Sequence, residues 1–395
     1  MVGGGQGAFI GAVHRLAARV DDRFELVAGA LSSDPQRARE SALELGIGID
    51  RAYADWREMA RAEGMHEDGI DAVAIVTPND LHAPVATAFL EAGIHVICDK
   101  PLAVSLEEGE ALAKLAREKR KLFALTHVYS GYPLVRHART LVEDGALGEI
   151  RIVHVEYAQD WLAEPVEAGG ANRQAAWRTD PRRAGPAGCL GDIGTHAYHL
   201  ASFVSGMMPN AVSAELHTFV QGRQLDDHVQ ALLRYPNGAR GMLWASQVAS
   251  GAENALRLRV YGTEASLAFD QEMPNELWLT MRGGAAQRLT RGRVDSMDAL
   301  HATRVPAGHP QGYAEAFAQL YLDAALQIEA MDAGRPPPAE SRLLTTVDDG
   351  VAGLRFIEAV LASSAADGRW RDPSMIACAS VLRARALCHS GQTPT

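Results

Sequence analysis

The chain has 395 residues, of which 47% are hydrophobic and 22% charged, and its formal net charge is −11. That length exceeds one ordinary core and predicts two domains, and the composition belongs to a globular protein, not a disordered or fibrous one. An acidic chain with no compensating basic stretch argues against nucleic acid or an anionic membrane surface as partner, and no apolar run approaches the length of a membrane span.

The sequence opens on MVGGGQGAFIGAVHR. Gly3-x-Gly5-x-x-Ala8 fits the dinucleotide fingerprint, with Ala8 as the permitted third small residue. Glycines let the backbone turn tightly beside a diphosphate, and a helix beginning near Ala8 aims free N–H groups at it. Only Met1 and Val2 precede Gly3, too few for a central parallel strand, so the first strand is expected to extend upstream of Met1. Phe24–Leu31, Asp71–Thr77 and Ile94–Cys98 read as buried strands. Between the last two, His82–Gly93 reads as a helix closed by glycine, and Ser105 with Glu108 as the capping box of the next helix.

Strands alternating with helices predict a parallel, doubly wound sheet whose ligand lies at the carboxyl ends of its strands. The residues there are Gly3, Gly5, Gln6, Gly7 and Ala8, then Ser32 and Ser33, then Thr77 and Asn79, then Asp99 and Lys100. His82 joins Asn79 as an expected contact to the nicotinamide ribose, although Asn79 equally suits a turn after Pro78. Ser32 and Ser33 stand where an acid would bind the 2′-hydroxyl of NAD, Asp34 falls slightly late, and Arg37 suits a 2′-phosphate. The same short stretch equally caps the next helix, so NAD and NADP both stay open.

After Leu125 the pattern changes. A helix near 134–145 leads into an alternating strand at 149–160, and further short strands follow at 227–236, 240–249, 255–262 and 277–282. Turn signals such as Pro236-Asn237-Gly238 separate them. This predicts an α+β domain with a mostly antiparallel open sheet and helices on one face. Trp161–Gly188 is long for a loop inside a compact domain and is expected to be functional. A helix over about 345–364 packs back on the body, and 372–395 reads as an appended tail to which we assign no role. The expected division is 1–127 for the dinucleotide-binding domain and 128–371 for the substrate and oligomerisation domain.

CLGDIGTHAYHL, Cys189 to Leu200, places Asp192, His196 and His199 on one stripe of an expected helix. Three uses compete: a buried structural cluster, a metal site, or an acid/base pair. Catalytic zinc needs three firm ligands and structural zinc prefers recurring Cys/His pairs, so no metal is expected. Oxidising a secondary alcohol needs a hydride acceptor and a base for the hydroxyl proton, and histidine suits the second task. His196 lies four residues after Asp192, about 6 Å of helix rise, on the same face. We read His196 as the general base, Lys100 as the catalytic amine holding the substrate oxygen, and Asp192 as the group that fixes a neighbouring hydroxyl. These groups are expected to meet at one ring oxygen beside the dinucleotide, while His199 packs. Tyr129, Trp177, Arg178 and His309 are substrate-pocket candidates, His309 equally a loop residue before the helix near Gly312.

The ordered set GGGQGAFIG, TPNDLH, DKP at Asp99–Pro101 and GDIGTH at Gly191–His196 resembles the Gfo/Idh/MocA family of oxidoreductases along the chain to about Trp370. AWRTDPRRAGPAGCLGDIGTHAYHL and AGHPQGYAEAF resemble its sugar- and cyclitol-dehydrogenase branch. The family's usual Glu-Lys-Pro stands here as Asp99-Lys100-Pro101, with the lysine kept. The resemblance implies a Rossmann domain binding NAD or NADP, and a second α/β domain whose open sheet mediates a homodimer or homotetramer. It implies the same roles for Lys100, Asp192 and His196, and reversible oxidation of a secondary hydroxyl of a sugar, sugar derivative or inositol. Four cysteines (Cys98, Cys189, Cys378, Cys388) without a CxxC pair, and an opening without a basic leader segment, predict reduced thiols in the cytoplasm. Two alternatives stay open: NAD-dependent glycoside cleavage with a recycled cofactor, and a dinucleotide-binding regulator without chemistry. A regulator needs no proton acceptor, which weighs against the second.

Overall fold

The computed structural model describes residues 1–170 and 172–376, so most of the expected tail, 377–395, lies outside the described residues. The first elements are β1 (Val2–Gly3), α1 (Phe9–Val20), α2 (Pro35–Glu44), α3 (Trp56–Met65) and β2 (Ala72–Val76). Next come α4 (His82–Glu91), β3 (His95–Cys98), α5 (Leu106–Lys119), β4 (Phe123–Leu125) and α6 (Pro133–Glu143). Then β5 (Ile150–Ala158) precedes α7 (Arg173–Arg178), α8 (Pro181–Ala184) and α9 (Thr195–Ser205). A run of strands follows: β6 (Ala211–His217), β7 (His228–Arg234), β8 (Arg240–Ser246) and β9 (Ala255–Gly262). It continues with β10 (Ala265–Asp270), β11 (Glu276–Met281) and β12 (Ala286–Thr290). The last helices are α10 (Met297–His301), α11 (Tyr313–Asp332) and α12 (Val347–Ser364).

The chain groups into two units. The first comprises Met1–Asp144, Met273–Trp278 and Gln287–Val351, the second Gly145–Glu272, Leu279–Ala286 and, among the described residues, 352–376. Helices α6, α10 and α11 therefore belong with the first unit.

The first unit is built on a parallel sheet in the order β1-β2-β3-β4. Its Val-, Ile- and Ala-rich strands carry residues such as Val73, Ile75, Val96 and Ile97 that are buried among covering helices. The strand expected at Phe24–Leu31 is replaced by two isolated bridges, Val2↔Ala30 and Gly29↔Ala52. Its backbone is still engaged: Gly3 N–H donates to Ala30 O, and Ala30 N–H donates to Met1 O, both at 2.9 Å. On its other side, Gly29 N–H donates to Arg51 O at 3.1 Å and Gly29 O accepts from Tyr53 N–H at 2.9 Å. The capping box of α5 is displaced by one residue. Ser105 Oγ accepts from Glu108 N–H at 3.2 Å, but the Glu108 carboxylate accepts from Val104 N–H at 3.3 Å.

α1 buries His14 against α11, where Nδ1 lies 2.8 Å from the Tyr321 hydroxyl and the Phe317 ring centroid is 5.0 Å away. Burial pushes the His14 pKa down to about 4, against the pull of Asp99. Unfolded histidine titrates near 6.5, so below that pH the unfolded chain binds a proton that the folded chain refuses. Stability from this residue is complete above pH 6.5 and is lost as pH falls toward 4. Urea unfolding at pH 7.5 and pH 5 is expected to show His14→Phe losing about 2 kcal/mol less than wild type over that interval. Parallel losses in the two proteins would show that His14 carries no such linkage.

In the second unit, strands β5 to β10 form the greater part of a sheet ordered β12-β11-β10-β9-β5-β8-β7-β6. Its β5–β8 pair is parallel, and the β5–β9, β9–β10, β7–β8 and β6–β7 pairs are antiparallel, as the turn-rich sequence predicted. β6, β10 and β12 are strands that the sequence pattern did not announce. Burial alternates along β7 and β8, and α9 packs on β5, β8 and β9. The expected terminal helix is α12, whose Phe356 stacks on Tyr198 of α9 at 4.3 Å. Trp161–Gly188 is not a bare loop: it holds a 3₁₀ turn at Ala168–Gly170 and the short helices α7 and α8. Among the described residues no helix is long and apolar enough to cross a membrane.

Candidate active site

The first unit supplies a glycine turn at the end of β1. Gly3, Gly4 and Gly7 adopt φ of 79°, 75° and 78°, a region that side chains disfavour. A Cβ on Gly5 would lie 2.7 Å from both Leu31 O and Ser41 Oγ, so this position is closed to anything larger. Gln6 N–H donates to Ser41 Oγ at 3.0 Å, its carboxamide donates to Glu44 at 2.8 Å, and Ala8 N–H donates to Gly5 O at 3.1 Å. Ala8 leads into α1, whose first turn carries no acid, so its positive dipole end stays uncompensated. A cleft of about 350 Å³ runs along Gly5–Phe9, Ser41 and Glu44. A cradle that excludes Cβ atoms beside a free helix N-terminus fits a dinucleotide diphosphate.

One glycine of this cradle escaped the fingerprint. The close approach of helix to turn is made by Gly11, where a Cβ would lie 2.4 Å from Gly4 Cα and 2.6 Å from Gly4 O. Both obstacles are backbone, so Gly11→Ala must displace the turn. Overpacking of this kind costs about 1–3 kcal/mol, and dinucleotide affinity is expected to weaken by about 10- to 100-fold. Fluorescence titration with NADH measures this, and an unchanged dissociation constant would mean that the turn yields freely.

The stretch considered for the ribose is engaged in capping. Ser32 Oγ accepts from Asp34 N–H at 3.1 Å, and the Asp34 carboxylate accepts from Arg37 N–H at 2.8 Å at the start of α2. Ser33 is exposed and Arg37 half-buried. At the end of β2, Thr77 Oγ1 is buried without a protein hydrogen-bond partner among the described residues, a polar atom suited to a ligand. Asn79 is buried at the start of a 3₁₀ turn. His82 differs from expectation. Nδ1 lies 2.7 Å from Pro101 O and Nε2 3.0 Å from Thr77 O, so both nitrogens needed for a ribose contact already face backbone carbonyls. The ring lies between the β2 and β3 loops; burial lowers its pKa, and the neutral ring donates to one of these two carbonyls.

At the end of β3, Asp99 Oδ1 accepts from Lys100 N–H at 2.9 Å and from Thr126 Oγ1 at 3.0 Å. The carboxylate thus folds back on its own turn, leaving Lys100 half-buried at the carboxyl edge of the sheet, ahead of a cis Lys100-Pro101 bond. Tyr129 is buried and stacks on Tyr132 at 6.2 Å. His309 is exposed on a loop whose carbonyls, its own included, are held by Arg291.

The second unit carries Asp192 and His196, and corrects their expected setting. Leu190–Gly194 is a π turn, closed by Thr195 N–H donating to Leu190 O, and regular helix begins only at Thr195. The turn that carries Asp192 is therefore wider than the α-helical one its spacing suggested. Asp226 anchors its start: the carboxylate accepts from Gly188 N–H at 2.7 Å and Leu190 N–H at 2.8 Å. Burial pushes the Asp226 carboxyl up to about 6 against these donors, and pushes the Cys189 thiol up as well.

Asp192 Oδ2 accepts from Gln247 Nε2 at 2.8 Å and faces Arg178 Nε at 3.4 Å. The Arg178 guanidinium lies over Trp177 at 4.2 Å and toward Trp161 at 6.0 Å, a cation–π arrangement. The structure therefore brings Asp192, Trp177 and Arg178 together and adds Trp161 and Gln247, which no motif marked. His196 is buried, its ring 6.3 Å from that of Tyr157, while His199 packs 5.7 Å from Phe203. Among the described residues no His, Cys, Asp and Glu cluster could hold a metal ion.

Residues 1–127 match the model of the oxidoreductase family with an NAD-binding Rossmann fold, and residues 135–268 match the GFO/IDH/MocA C-terminal domain. The crystal structure of an oxidoreductase from Sinorhizobium meliloti is 47% identical with a TM-score of 0.85, covering 94% of this chain and 98% of that one. An inositol dehydrogenase homolog from Azotobacter vinelandii, complexed with NADH and myo-inositol, is 37% identical with a TM-score of 0.87, covering 94% and 96%. Levoglucosan dehydrogenase of Pseudarthrobacter phenanthrenivorans is 32% identical over 73% of this chain and 77% of its own.

Proposed function

We propose that this chain, which belongs to the Gfo/Idh/MocA family of NAD-binding oxidoreductases, oxidises a secondary hydroxyl of a neutral cyclic polyol, an inositol or a sugar. The observation that carries the reading is the end of β3. Asp99 ties down the backbone of Lys100 on the same sheet edge that bears the glycine turn. Similarity along 94% of the chain to a structure holding NADH and myo-inositol supports the substrate class.

A bound nicotinamide dinucleotide supplies the hydride acceptor. Lys100 donates to the substrate oxygen and stabilises its developing negative charge. His196 accepts the hydroxyl proton. Asp192 accepts a hydrogen bond from a neighbouring hydroxyl, with Trp177 and Arg178 as substrate contacts beside it. Arg178 already pairs with Asp192 and covers Trp177, so it is not a spare receptor for an anionic substrate. We place the enzyme in the cytoplasm, in keeping with its buried free thiols Cys98 and Cys189. We assign oligomer formation to the open sheet face, where Leu232 and Met242 stand opposite each other and exposed.

The test is NADH or NADPH formation by the purified chain across inositols, aldoses and anhydrosugars, with phosphorylated and carboxylated analogues beside them. Turnover is expected with the neutral compounds, and poor turnover or none with the anionic ones. Glycoside cleavage without net reduced cofactor would replace this reading with the recycled-cofactor chemistry. Binding of dinucleotide with no turnover of any compound would replace it with a sensor.

A further inference from the structure

Gln247 lies in no motif, yet its placement is built. It sits one residue past β8 and is 2% exposed. Its N–H donates to Asp227 O at 2.9 Å, and its carbonyl accepts from Leu162 N–H at 3.1 Å, so the backbone is held on both sides. From that base the carboxamide donates to Asp192 Oδ2 at 2.8 Å. Asp192 itself rides on the π turn, the kind of helix irregularity that clusters at functional sites. Arg178 also reaches Oδ2, at 3.4 Å, but it comes from the six-residue helix α7 and is a longer contact. The rigid partner is the carboxamide on the sheet.

We propose that Gln247 is a positioning residue: by holding one carboxylate oxygen of Asp192, it aims that carboxylate at a substrate hydroxyl and so sets which polyols the site accepts. This rests on the reading of Asp192 as the group that holds a hydroxyl next to the reacting one. An uncharged donor suits the task, since it adds a directed hydrogen bond without adding a second cation to the one that Arg178 brings. A hydrogen bond to a charged group is worth enough to change affinity by about tenfold or more.

The test compares wild type with Gln247→Leu and the isosteric Gln247→Glu, which replaces a donor by an acceptor beside Asp192. Steady-state kinetics use myo-inositol, or the best polyol from the screen, and analogues each lacking one hydroxyl. Both variants are expected to raise the KM for the polyol about tenfold, with a smaller change in kcat and an unchanged dissociation constant for NADH. A merely structural role would lower kcat and cofactor binding together. The deoxy analogue that wild type penalises most through Asp192 is expected to lose that penalty in both variants. Polyol KM values within twofold of wild type in Gln247→Glu overturn the proposal, as does a deoxy penalty that survives intact in it. If the wild-type chain binds NADH but turns over no polyol, the dehydrogenase reading itself has failed, a result separate from either of these.

Discussion

Replacing Lys100 by alanine is expected to lower kcat for polyol oxidation by about 10²–10³-fold, the usual effect of deleting one donor aimed at developing oxyanion charge. The dissociation constant for NADH is expected to stay near that of wild type. The reason for this split is local. The glycine turn is held by Ala30, Leu31 and Ser41, and the backbone of the β3 loop is held by Asp99 and Thr126. Neither set of contacts uses the Lys100 side chain, so truncation at Cβ leaves the dinucleotide cradle as it was. Lys100→Arg keeps the charge but replaces a compact ammonium with a planar fork, and is expected to recover only part of the rate. Stopped-flow or steady-state rates at saturating polyol and cofactor give kcat, and fluorescence titration gives the dissociation constant. A Lys100→Ala enzyme with wild-type kcat would remove the amine from the chemistry.

The parts of this site that were legible in the sequence are those where chemistry or backbone geometry restricts the residue type locally. Glycines 3, 5 and 7 announced a turn because a tight approach to phosphate demands them, and three of the turn's glycines do adopt positive φ. β2, β3 and α4 announced a parallel sheet through apolar runs and a terminal glycine. What stayed hidden depended on distant partners. Phe24–Leu31 has the composition of a strand, but its pairing is limited to two isolated bridges, to Val2 and to Ala52. Gly11 looks like an ordinary helix residue until Gly4 is placed against it. His82 has the look of a ligand, yet the β2 and β3 loops bring two carbonyls to its two nitrogens. The π turn is invisible to any reading that assumes 3.6 residues per turn, and the carboxylate that holds its start, Asp226, lies more than thirty positions away. Gln247 follows an unremarkable strand, and only the tertiary fold brings it to Asp192, 55 positions away.

Replacing His196 by alanine is expected to lower kcat by about 10²–10⁴-fold, the range for losing a positioned general base. The residue is suited to the task by what surrounds it. It follows the π turn directly, on the buried face of α9, so its ring has little freedom to leave the position the turn gives it. Its aromatic neighbour Tyr157 is itself held in place, donating its hydroxyl to Asn254 at 2.7 Å. Truncation at Cβ leaves a gap shaped like an imidazole, so added imidazole is expected to restore part of the rate in proportion to its concentration. Asp192→Asn is expected to act differently, raising the KM for the polyol more than it lowers kcat, because it removes a hydrogen-bond acceptor and not a base. The decisive comparison is between the two basic groups. If Lys100→Ala is inactive while His196→Ala keeps its rate and gains nothing from imidazole, the proton passes through the amine. If both fall by similar factors and the double variant falls little further, the two groups act on one step, as the assignment of oxygen to Lys100 and proton to His196 requires.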